Sequence, residues 1–369
     1  MIATPVRILG LCFVLGSFAS SAAAGQQPCV PASTNGLRLF GTISEIRFEP
    51  SAVVALPGEC AVLVFSDKSE TLEAFRFGLG ATGLTGGETV SPASAPRIVQ
   101  LEATTLTGDG EGVLVVTSGT YKGTSSVDQS REDRAIVLAT DPGGAWRVAQ
   151  DLSVSWARFL EGLRRQVGGW LKVEGLTAMG ERYLVGFRQF GDAHDRFDYG
   201  VMIAVWDPDQ PTVRTVLADP RSLTFEETGD MSGGDRTYMR TYGVSSLECA
   251  PETAAGALRC LLLASSEAGP GVGDVKTRLM AVQLEELADA TSLPGREVAC
   301  FWGKAEGVTL VGPERALVVF DSDRARKGGA GGSDLYPIED HQDFYWIGSV
   351  RLAEPGPDGE AAAPACVAP

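Results

Sequence analysis

Five positions along the chain place an oxygen-bearing side chain at the head of one pattern, a residue followed by alternating, mostly apolar positions: Ser51, Glu102, Glu174, Ser245 and Glu306. The intervals between them are 51, 72, 71 and 61 residues. Two of the five open nearly identical segments, "KVEGLTAM" (172–179) and "KAEGVTLV" (304–311). If the five positions are equivalent in space, three carboxylates and two hydroxyls converge. Three anions in a confined place repel unless a cation or protons offset them. An all-oxygen shell of mixed carboxylate and hydroxyl suits a hard cation with flexible coordination, so calcium is expected rather than zinc. The competing expectation is neutralisation by the protein itself. Lys172 and Lys304 sit two residues before Glu174 and Glu306, on the same strand face, and could pair with them. Glu248 lies three residues past Ser245, on the opposite face by strand alternation, and is set aside.

The elements that must carry these positions are strands. Apolar runs ending in a polar cluster recur as "VLVFSD" (62–67), "VLVVTS" (113–118), "YLVGFR" (183–188), "LLLASS" (261–266) and "LVVFDS" (317–322). Each is bounded by turn residues, the signal of a buried strand. Each follows, across a turn, a shorter segment headed by one of the five positions. A third strand follows after a variable loop, and a fourth is visible twice, at 146–154 and 212–217. Such meanders cannot bury both faces alone; set radially around an axis, they bury them against each other. The expected fold is therefore all-β, a β-propeller, with the first strand of each unit lining the axis. The count is five blades, with a sixth allowed by the long interval between the second and third repeats. The segment 37–43 ("LRLFGTI") has no repeat of its own and is expected to complete the last blade and close the ring. Within the long interval, Trp156, Phe159, Leu160 and Leu163 fall at helical spacing, which predicts one inserted helix around 153–170. Its apolar stripe is expected to pack on the propeller.

Composition sets the compartment and the partners. The first residues have a single positive charge at Arg7, an apolar run over 8–19 and small residues ending in Ala22-x-Ala24. That predicts a secretory signal peptide at 1–24, one propeller domain at 25–369, and a periplasmic or secreted location. The formal net charge of −16 argues against nucleic acid and anionic membranes as partners. A monomer is expected. Of seven cysteines, Cys12 lies in the signal segment, and the remaining even number fits disulfides in an oxidising compartment. Cys249 and Cys260 flank a short turn and form the best candidate pair. The pairing of Cys29, Cys60, Cys300 and Cys366 stays open.

Further candidates sit at strand ends near the channel mouth: Lys68, Arg188, Asp321 and Asp323. There Arg188 could act as a bidentate donor to a phosphate or sugar, or these residues could form ion pairs between blades. The two histidines, His194 and His341, lie in polar loops, and no G-x-S-x-G elbow supports a serine hydrolase.

The stretches "PSAVVAL…VLVFSD", "KVEGLTAM", "YGVSSLECAP…LLLASSEA" and "KAEGVTL" resemble the five-bladed calcium-activated nucleotidase (apyrase) propellers. The chain is also similar to bacterial secreted propellers of unknown function and to the phytase-like, esterase-like propeller family. The resemblance implies a central calcium held by Ser51, Glu102, Glu174, Ser245 and Glu306. Two functions follow as expectations. One is an exported, calcium-dependent hydrolase of phosphate esters or anhydrides, in which the cation polarises a phosphoryl oxygen or acidifies a water positioned by Glu174 or Glu306. The other is a non-enzymatic propeller with a structural axial ion, binding a small-molecule or phosphorylated ligand or a protein.

Overall fold

The computed structural model describes residues 38–43, 50–66, 72–79, 84–92, 95–96, 98, 100–119, 133–193, 196–212, 215–230, 235–250, 259–266, 276–283, 296–302, 304–311, 315–321 and 345–352. Residues 1–24, expected to be a signal peptide, and Lys68, Asp323, both histidines, Cys29 and Cys366 lie outside them.

The described chain is all-β with a single helix, in a propeller arrangement. Strand β1 (Arg38–Ile43) pairs antiparallel with the last strand of the chain. The first sheet is β2 (Pro50–Leu56), β3 (Ala61–Ser66), β4 (Ala74–Leu79) and β5 (Leu84–Val90), in that order. The second is β6 (Leu101–Leu106), β7 (Val113–Thr117), β8 (Ala135–Thr140) and β9 (Trp146–Asp151). Helix α1 (Ser153–Val167) follows, then the third sheet: β10 (Trp170–Met179), β11 (Arg182–Ala193), β12 (Arg196–Trp206) and β13 (Thr215–Arg221). The fourth has five strands: β14 (Leu223–Asp230), β15 (Asp235–Cys249), β16 (Arg259–Ser266), β17 (Lys276–Gln283) and β18 (Arg296–Trp302). The fifth is β19 (Lys304–Leu310), β20 (Arg315–Asp321) and β21 (Tyr345–Arg351), with β1 on its outer edge. Four of these sheets are thus four-stranded blade units.

The first strands touch in cyclic order, β2 to β6 to β10 to β15 to β19 and back to β2. An apolar core fills each of the five spaces between neighbouring sheets. That is the physical reason for near-continuous apolar strands such as Ala61–Ser66, buried at every residue: both faces meet a neighbour.

The long interval between the second and third repeats is filled by β9 and α1, and holds no further sheet among the described residues. The helix buries Trp156, Phe159, Leu160 and Leu163, the stripe read from their spacing, against β10 and β11. It is shorter than expected, because Gly168 adopts a left-handed φ of 99° and ends it. Trp170 already belongs to β10. The fourth strand β5 ("LTGGETV") escapes an apolar-run search because it lies on the outer edge, where few apolar positions are needed.

Candidate functional site: an axial charge cluster

Each of the five candidate residues lies on a first strand, and each marks a fault in its ladder. The pairing of first to second strand slips between Pro50 and Ala52, Leu101 and Ala103, Val173 and Gly175, Val244 and Ser246, and Ala305 and Gly307. The residue skipped is Ser51, Glu102, Glu174, Ser245 or Glu306. A bulge of this kind leaves one residue out of the ladder and re-aims its side chain. All five are buried.

The residue after each bulge is small: Ala52, Ala103, Gly175, Ser246 or Gly307. The neighbouring first strand requires it. A Cβ on Gly175 would stand 2.8 Å from Leu247 Cβ, and one on Gly307 3.0 Å from the Val53 nitrogen. This accounts for the glycine of the Glu-Gly pair.

Three cations meet the three carboxylates. Lys172 Nζ lies 3.3 Å from Glu102 Oε1 and also pairs with Glu174. Arg188, fully buried, places Nη1 3.2 Å from Glu174 Oε1 and 3.6 Å from Glu306 Oε2. Lys304 pairs with Glu306. The groups form an alternating chain: Glu102, Lys172, Glu174, Arg188, Glu306, Lys304. It runs across the second, third and fifth sheets, and Arg188 spans the fourth. A Cβ at Gly243, two residues before Ser245, would sit 2.6 Å from Arg188 Cγ. The position that holds lysine on β10 and β19 is therefore open on β15, and Arg188 from β11 fills it. Its guanidinium also lies 5.8 Å from the Tyr199 ring centroid.

The serines are held within the protein. Ser245 shares a hydrogen bond with the hydroxyl of Ser265, which donates to the Ala305 carbonyl at 3.1 Å. Ser51 Oγ donates to the Phe65 carbonyl at 3.4 Å.

These contacts give the two Lys-x-Glu-Gly carboxylates opposite acidities. Burial pushes the Glu174 carboxyl up, but the charges of Lys172, Arg188 and Lys304 outweigh it and hold Glu174 below the usual range. Burial dominates at Glu306; with Glu174 repelling it, its pKa rises to about 7 despite Lys304. Burial would lower Lys172, but Glu102 and Glu174 raise it above its ordinary value.

Oxygen-only donors suit calcium in kind, but the electrostatics do not fit it. With every group ionised, the three carboxylates already balance three cations, and each carboxylate faces at least one of them. A dication at the centre would leave the cluster strongly positive. Among the described residues no group of three or more His, Cys, Asp or Glu side chains is placed to hold a metal ion.

Glu248, set aside on strand alternation, has a defined place. Three residues past each bulge, a side chain accepts from the next first strand. Ala178 N–H donates to Thr105 Oγ1 at 3.3 Å, Cys249 N–H to Thr177 Oγ1 at 3.0 Å, and Ala55 N–H to Thr309 Oγ1 at 3.0 Å. At the same position on β15, the Glu248 carboxyl accepts from Leu310 N–H and from Thr309. Its burial pushes the pKa up to about 8. The fifth such position is Val54, whose side chain cannot accept. The recurring Thr was the signal that could have revealed this latch.

Of the remaining candidates, Arg188 is committed to the axial carboxylates and is not open to a ligand. Asp321 is the last residue of β20. Cys249 and Cys260 are cross-strand partners joined by a disulfide, and Cys60 and Cys300 are also disulfide-bonded. Disulfides fit an oxidising compartment. No helix among the described residues is long and apolar enough to cross a membrane.

No family model matches the chain, and no curated protein matches it. Solved structures with similar architecture are propeller-like. A glycosyl hydrolase from Bacteroides ovatus is 10% identical over 84% of this chain and 88% of its own, with a TM-score of 0.45. A structure from the GH130 family of mannoside phosphorylases is 10% identical over 87% of each chain, at 0.42. The PQQ-bound aldose sugar dehydrogenase from Streptomyces coelicolor is 13% identical over 86% of this chain and 99% of its own, at 0.34. Likenesses this distant have no bearing on the site.

Proposed function

We propose that the chain is an exported five-bladed propeller, its ring closed by β1, that works as a binding module. The axial cluster pins the blades, and ligand recognition lies elsewhere on the surface. One observation carries this reading: the unbroken alternation of Glu102, Lys172, Glu174, Arg188, Glu306 and Lys304, which neutralises the axis from within. The same period of bulge and small residue on five first strands, with the latch on four of them, supports the blade count. A metal-dependent phosphohydrolase needs an open coordination position and an accessible substrate. Here the groups that would supply them are buried and bonded to one another.

One observation favours a second reading, an axial calcium. Glu174 Oε2 and Glu306 Oε2 are buried without hydrogen-bond partners among the described residues. The test is thermal unfolding with added calcium and with EGTA, together with hydrolysis of an aryl phosphate, on the full exported chain. The binding-module reading expects the Tm to agree within about 1 °C between calcium and chelator, and no turnover. A calcium-dependent rise in Tm that Glu174→Gln abolishes would replace it with the axial ion, and calcium-dependent turnover with the hydrolase.

A further inference from the structure

The groove along the outer side of α1 has the size and charge of a ligand site. Its volume is about 840 Å³, within the range of small-molecule pockets. Among the described residues its walls carry four arginines, Arg134, Arg158, Arg164 and Arg165, against two acids, Asp133 and Glu161. That excess of positive charge stands on a chain whose net charge is −16.

The four arginines are not equivalent. Arg164 is fixed: its guanidinium makes two hydrogen bonds to Asp133, at 2.8 and 2.9 Å, and one to the Gly119 carbonyl at 2.7 Å. Arg165 pairs with Glu161 one turn earlier on the exposed face. Both lie in the last turns of α1, where cations also complement the helix dipole. Arg134 and Arg158 have no ion pair among the described residues. Arg158 sits mid-helix, too far from the C-terminus for the dipole to explain it. Arg134 Nε is buried and has no hydrogen-bond partner among the described residues. The Arg134 guanidinium is thus part-buried with its charge unanswered by a described acid, and an oxyanion in the groove would offset that charge. Beside these groups Val154 is 68% exposed, and with Ala157 it offers an apolar wall.

We propose that this groove binds a small organic anion, its oxyanion head gripped by Arg134 and Arg158 and its apolar body resting on Val154 and Ala157. The inference rests on the binding-module reading only in placing recognition away from the axis, and its test shares no readout with calcium or turnover. The whole protein is titrated calorimetrically with benzoate, phenyl phosphate and inorganic phosphate. One or both aryl oxyanions should bind at a single site, identifying the head group, with inorganic phosphate at least tenfold weaker because it lacks the apolar body. Arg134→Gln and Arg158→Gln should each weaken aryl binding about tenfold or more, while Arg165→Gln stays within about twofold. Arg158 is solvent-exposed, so its variant keeps the test sound should Arg134→Gln misfold. Absence of aryl binding at millimolar concentration overturns the proposal. So does binding unchanged in Arg158→Gln, or an equal loss in all three variants, which would report general charge attraction.

Discussion

Strands β10 and β19 are the same device in sequence and differ in function within the fold. Both read Lys-x-Glu-Gly, both bulge at the glutamate, both need the glycine for a neighbouring strand, and both latch that neighbour through a threonine three residues on. Yet Glu174 is held ionised and Glu306 is pushed toward neutrality. The difference lies in the balance of surroundings: Lys172, Arg188 and Lys304 outweigh burial at Glu174, whereas burial and repulsion from Glu174 outweigh Lys304 at Glu306. Arg188 comes from the strand next to β10 and sits closer to Glu174 than to Glu306, at 3.2 against 3.6 Å. A motif therefore sets which group is present, and its surroundings set the charge it carries.

The comparison can be broken most severely at the group both strands share. Replacing Arg188 by Met leaves two buried carboxylates short of charge, and the expected loss is about 3–5 kcal/mol in equilibrium urea unfolding. A loss below about 1 kcal/mol would mean that Arg188 does not hold the cluster. The single variants should then separate the twins. Glu174→Gln removes the carboxylate that Lys172 and Arg188 share, leaving Lys172 with Glu102 and Arg188 with the more distant Glu306, and should cost about 3 kcal/mol at pH 7. Glu306→Gln removes a group already near half-protonation and should cost less than about 1 kcal/mol. Equal losses would erase the distinction.

Titration sharpens the same contrast. Glu306 keeps its proton in the fold up to about pH 7, whereas an unfolded glutamate loses it near 4.5. Between those values the native state binds more protons, so this group makes stability fall as pH rises through that window, by up to about 3 kcal/mol. Glu174 acts in reverse: its lowered folded pKa gives stability that is present above pH 4.5 and lost as pH falls below it. Tm profiles of Glu306→Gln should lose the slope between pH 4.5 and 7, and those of Glu174→Gln the acid limb. The smallest effect extends the comparison to β2, which lacks the latch. Val54→Thr should add an acceptor for the Leu106 amide, stabilising by about 0.5 kcal/mol and slowing hydrogen exchange at that amide. Faster exchange there would contradict the latch.

Much of this arrangement could be read from the chain alone, because it repeats. The five heads, the apolar second strands, the stripe on α1 and the Cys249–Cys260 pair are local or periodic signals, and periodicity follows from which faces must be buried. The bulges could not be read, because a slip in pairing depends on a partner strand, and alternation alone, which set Glu248 apart from Ser245, did not show that it contacts the next first strand. Nor could the route of Arg188 through the opening at Gly243, which joins residues 55 apart.

By itself, the sequence determined the repeating strands, the radial order of the sheets and the identity of the groups on the axis. Burying apolar faces demands nothing beyond residue type and spacing. Only the tertiary structure decided how those charges are answered. Coulomb energy between buried groups changes over a few tenths of an ångström, and those distances are set by strands far apart in the chain.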